Sequence, residues 1–153
     1  MDQDKHAPRL FADEAQIRAI GEAFCACALP REAWTHEAHL STCLWLIRER
    51  PEIVPESALP AMIRTFNESV GGINDETQGY HETITQGSII GVRRFLARNP
   101  NEQSLLLLVN GLLRAPEGRR DWLLGFYSKD RLFSVAARLG FVEPDLQSLR
   151  FAG

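Results

Sequence analysis

A chain of 153 residues lies in the commonest size range for one domain and is long enough to bury one substantial core. Apolar residues make up 44% of it and charged residues 24%, which excludes a disordered or fibrous chain. The formal net charge of −3 leaves no global basic field to draw the protein to nucleic acid.

The first ten residues are polar and carry no apolar h-region, so no secretory signal is expected. The longest apolar run, residues 105–109, is far too short to cross a bilayer, and no membrane partner is expected. Cys25, Cys27 and Cys43 are odd in number and lack CxxC spacing, which argues for a reducing, cytoplasmic setting. The periodicity is helical almost throughout. The whole chain, 1–153, therefore reads as a single all-α domain, with 1–11 flexible and 141–153 an extended tail.

In chain order, Asp13 with Gln16 has capping-box spacing, followed by Ile17, Ile20 and Phe24 on one helical face; Pro30 ends that helix. Thr35 caps a second helix that runs to about residue 50, where Pro51 stops it. Pro55 and Pro60 bracket the start of a third, with an inner face of Leu59, Met62, Ile63, Phe66 and Val70, ended by Gly71-Gly72. A loop leads to a fourth helix over 80–99. Asn99-Pro100 breaks the chain before a very apolar fifth helix, 105–113. Trp122, Leu123 and Phe126 face inward from a short segment, and Ser128 caps a last helix to residue 139, with Tyr127 and Leu132 as a hydrophobic staple. Six or seven helices joined by short connections make an antiparallel helical bundle.

Burying polar groups on a core face costs free energy unless something satisfies them, so such groups mark candidate sites. In the second helix His36 lies on the core face of Leu40, Cys43 and Ile47, and His39 lies at its edge. In the fourth, His81, Thr85 and Ser88 continue the stripe of Val92, Phe95 and Leu96 toward the N-terminus. Both inner faces are thus polar at the start and apolar afterwards. One helix separates the two, so in an up-and-down bundle they run parallel and their polar ends lie together. His36, His39, His81 and Thr85 then meet, with Tyr80, Asn67 and Glu68 nearby. Helix N-termini also favour an anion and keep imidazoles neutral.

The bland alternatives are specific. Trp34 and His39 occupy staple positions, which puts the imidazole under the indole; Thr85 and Ser88 can bond back to their own helix. His36-Glu37-Ala38-His39 lacks the spacer of an HExxH zinc motif. The stretches Trp34–Leu40 and Gly79–Thr85, together with Phe126–Ser134, resemble a group of small uncharacterised bacterial all-helical proteins. That group has no established activity, so the resemblance implies no catalytic residue.

Three readings follow. The first is a pocket for a small polar or anionic molecule, lined by His36, His39, Tyr80, His81 and Thr85, with or without catalysis. The second is a metal-dependent enzyme with His36, His39 and His81 holding zinc or iron, although His36 and His39 diverge by about 60° around their helix. The third is a scaffold with structural histidines, which an exposed apolar patch around Trp122 and Phe126 would favour. Pairing with a second copy of the chain is open to any of the apolar helices.

Overall fold

Capping side chains decide where the helices begin. In this computed structural model, which describes residues 7–149, Asp13 accepts the Gln16 N–H at 2.8 Å and opens α1 (Glu14–Cys25). The Gln16 side chain returns to the Ala12 N–H, one residue before the position a capping box would use. Thr35 accepts the Ala38 N–H and opens α2 (His36–Glu49). Pro55 takes the first position of α3 (Pro55–Ser69), where an N–H would have no helical partner. His81 caps α4 (Glu82–Arg98), and Ser104 caps α5 (Leu105–Arg114).

The helix expected to run unbroken from Ser128 to residue 139 is instead two. Ser128 caps α6 (Lys129–Leu132), and Ser134 starts α7 (Val135–Leu139) by accepting the Ala137 N–H. A second serine, Ser134, follows Ser128 and offers a competing cap, and the chain takes it after Phe133. Among the described residues the protein is all helical: seven α-helices, short 3₁₀ turns at Arg31–Ala33, Pro116–Gly118 and Trp122–Gly125, and no strand. No helix among them is long and apolar enough to cross a membrane.

The main core joins Ile17 and Phe24 of α1, Leu44 and Leu46 of α2, Phe66 of α3, Val92 of α4 and Leu108 and Leu112 of α5. α1 packs most extensively on α2. Gly21 makes that approach feasible, since a Cβ there would stand 2.4 Å from the Trp45 ring. A second, smaller core gathers Leu123, Phe126, Tyr127, Leu132 and Leu149. It rests on another face of α4, where Gly87 meets Leu123 and Gly91 meets Trp122. Phe126 is buried and packs edge-on against Trp122 at 4.9 Å, so these rings fill this core and do not form the exposed patch that a scaffold would present.

Phe11 closes the segment expected to be flexible. Its side chain is buried, and Asn110 accepts from its N–H at 2.9 Å and donates to its carbonyl at 3.0 Å. Residues 1–6 and 150–153 of the expected flexible start and extended tail lie outside the described residues. The rest of the tail carries no helix, and Val142 ties it down by donating to Thr83 Oγ1 and accepting from the Tyr127 hydroxyl.

Pro60 sits inside α3 and cannot donate to the carbonyl of Glu56. The Gln86 side chain of α4 donates to that carbonyl instead, at 3.0 Å. Arg93, two turns along α4, pairs with the Glu56 carboxylate. The three cysteines are free thiols: Cys27 is exposed at a left-handed φ of 54°, Cys25 is half-buried and Cys43 is buried. Burial pushes the Cys43 thiol up to about 12.

Candidate functional site

α3 ends at the point where α2 and α4 begin, and a cavity of about 510 Å³ opens between them. Ile63, Phe66, Asn67 and Val70 contribute from the end of α3. The segment between α3 and α4 supplies Ile73, Gln78 and Tyr80, and α4 adds Ile84 and Thr85. Arg31, Trp34 and His39 close the remaining side from the 3₁₀ turn and the first turn of α2.

The inter-helix segment is held in a defined shape. Gly71 and Gly79 take left-handed φ values of 86° and 80°, and a Cβ on Gly79 would strike the Ile73 carbonyl at 2.2 Å. Asn74 pins the centre: its Oδ1 accepts from Asn67 Nδ2 and from the Tyr80 N–H, while its Nδ2 donates to the Arg64 carbonyl and Glu68. Asp75 organises the turn below by accepting from the Thr77 and Gln78 N–H groups.

Four of the five residues expected to converge, His39, Tyr80, His81 and Thr85, do line this cavity, and Asn67 lines it with them. The starts of α2 and α4 both reach this cavity. His36 does not join those four residues. Its Nε2–H donates to the Gly118 carbonyl at 2.8 Å, which turns it toward the 3₁₀ turn after α5.

His81 is a structural cap. The fourth helix begins two residues later than expected, so His81 has extended dihedrals (φ −132°, ψ 110°) in place of helical ones. Its Nδ1 accepts the Ile84 N–H at 3.1 Å and its Nε2–H donates to the Leu132 carbonyl at 2.8 Å. Both nitrogens are engaged, which fixes the neutral Nε2–H tautomer. Burial holds its pKa below the ordinary histidine value, and the bond to Leu132 partly opposes this.

The zinc or iron reading places His36, His39 and His81 on one ion; in this structure His36 and His81 face other partners. His36 points at Gly118, His81 has no free lone pair, and no group of three His, Cys, Asp or Glu among the described residues could hold a metal.

His39 is the histidine left open. Its ring packs on the Trp34 indole with centroids 4.0 Å apart, as the staple spacing implies, and Trp34 in turn stacks on Phe24 at 4.1 Å and nearly parallel. No described residue hydrogen-bonds to either of its nitrogens. The ring is reachable from the cavity yet flanked by protein. That desolvation, with His36 one turn away, keeps its pKa below the ordinary range and the imidazole neutral.

Tyr80 is buried, with its hydroxyl donating to Glu82 at 2.5 Å and the Arg64 guanidinium 4.4 Å over its ring. Burial, reinforced by Glu82, pushes the phenol well above its ordinary value. It is a fixed hydrogen-bonding wall at neutral pH.

Sequence reasoning does not single out Arg31. It lies on a short turn outside any helical period, so no inward face could be assigned to it. Among the described residues its side chain makes no hydrogen bond or ion pair, and no Asp or Glu lines the cavity. No protein-family model, curated protein or solved structure matches this chain.

Proposed function

We propose that this protein binds a small polar or anionic molecule in the cavity between α2, α3 and α4. One observation carries the reading. Arg31 and His39 line the same concave surface, and no described residue bonds to either side chain. An unpaired guanidinium in a cavity without acids attracts an anion, and a neutral imidazole can donate or accept beside it. The adjoining apolar wall gives the contact area from which small-molecule sites draw affinity. Three free thiols, one of them buried, support a cytoplasmic setting.

A ligand that binds only the folded chain raises its stability by about 2.7 kcal/mol at a hundred times its Kd. Thermal melts against a panel of small acids should therefore show stabilisation that is saturable, indifferent to chelators and lost in Arg31→Gln. The Arg31 side chain is exposed and has no hydrogen bond or ion pair among the described residues, so the variant should melt like the parent without ligand. If no acid raises the melting temperature of the parent, the reading is wrong.

A further inference from the structure

The cavity's charge and its backbone specify the anion more narrowly. Among the described residues Arg31 is the one fixed cation on its lining. The neighbouring guanidiniums are engaged elsewhere: Arg64 lies over the Tyr80 ring, and Arg138 donates to the Gly79 carbonyl at 2.8 Å. A single guanidinium matches one negative charge and would leave a phosphate dianion half-neutralised.

Phosphate sites usually offer a set of free backbone N–H groups from a glycine-rich loop or a helix start. Here several of those donors are taken. The Gly71 and Gly72 N–H groups donate to Glu68 and Asn67 carbonyls, at 3.1 and 2.7 Å. Asn74 takes the Tyr80 N–H, His81 the Ile84 N–H, and the His81 carbonyl the Thr85 N–H. At α2, Thr35 has the Ala38 N–H.

Ile63 and Phe66 of α3 and Val70 at its end contribute an apolar part of the lining with Ile73 and Ile84. Three separate elements supply it, so it is a built surface and not a lone exposed side chain.

Resting on the ligand-pocket reading, we propose that the ligand is a monocarboxylic acid with an apolar body, its carboxylate on Arg31 and its body on the Ile63–Phe66–Val70 wall. A carboxylate can take two parallel bonds from the guanidinium fork, and the His39 imidazole lies on the same lining for any further polar atom.

The test is titration calorimetry of the full chain with phenylacetate, phenyl phosphate, 2-phenylethanol and acetate. Phenylacetate should bind at least about tenfold more tightly than each of the other three. In Arg31→Gln it should lose about tenfold while 2-phenylethanol is unchanged, and in Phe66→Leu phenylacetate should weaken with its Arg31 dependence intact. Phenyl phosphate binding as tightly as phenylacetate, with dependence on Arg31, would overturn the carboxylate assignment and leave the pocket reading standing. Equal binding of 2-phenylethanol and phenylacetate would overturn the role of Arg31. If none of the four binds at millimolar concentration, both readings fall.

Discussion

At the scale of single residues, His81 links the site to folding. Its cap requires an unprotonated Nδ1, and protonation would set an N–H against the Ile84 N–H. Because its folded pKa lies below the unfolded value of 6.5, the unfolded chain takes up a proton that the fold refuses as pH falls past that value. Stability therefore rises with pH in the window just below 6.5 and is lost toward acid. His39 carries a shift of the same sign, so a variant is needed to separate them. Melting temperature measured from about pH 7 down to about pH 5 should fall for the parent and fall less steeply for His81→Asn, whose side-chain oxygen can still cap. His81→Ala, with no cap at all, should cost about 1 kcal/mol at neutral pH in denaturant melts.

Glycine gives a second contrast at this scale. Alanine in a helix interior gains about 0.5–1 kcal/mol over glycine. At Gly21 the new methyl would stand 2.4 Å from the rigid, buried Trp45 ring, and overpacking of that kind costs about 1–3 kcal/mol. At Gly87 the obstacle is the far end of the Leu123 side chain, at 2.8 Å, which can turn aside. Gly21→Ala should destabilise clearly in urea melts while Gly87→Ala stays near neutral; equal effects would refute the packing argument.

Among elements, the joint between α3 and α4 depends on an arrangement that neither helix shows alone. Pro60 leaves the Glu56 carbonyl without its helical donor, and Gln86 supplies one from across the interface. Gln86→Leu should therefore cost about 1 kcal/mol, the usual net value of such a bond. In a Pro60→Ala background the alanine N–H can serve the carbonyl, and the same substitution should cost measurably less. A double-mutant cycle with no coupling between positions 60 and 86 would show the bond to be dispensable. Element boundaries also explain the limits of sequence reasoning. Asp13, Thr35 and Ser128 all proved to be caps because their short oxygens compete locally for N–H groups, a signal that one sequence carries. The start of α4 was displaced by two residues because histidine seldom caps, and that displacement turned an inward-facing ligand candidate into a backbone contact.

For the whole molecule, the convergence of His39, Tyr80, His81 and Thr85 was legible from the matching polar gradients of two helices and the parity of the bundle. The turn of His36 toward Gly118 was not, because it depends on where a 3₁₀ turn 82 residues away comes to rest. Arg31 was invisible for a related reason: turns have no period from which to infer a facing direction. Two cores meet along α4, the larger through Ile89, Val92 and Phe95 and the smaller through Ile84 and Ile90, so the last third of the chain is bound to the helix that forms one side of the cavity.

Cys43 lies in the larger core, and its burial gives the chain an internal clock. A thiol held near 12 and sealed from solvent does not react with an alkylating reagent until the core around it opens, whereas Cys27 is exposed in the folded protein. In a chain carrying Cys25→Ser and Cys27→Ser, one thiol remains. Its labelling rate, followed by intact mass, would then report the frequency of core opening directly, in native buffer and without denaturant.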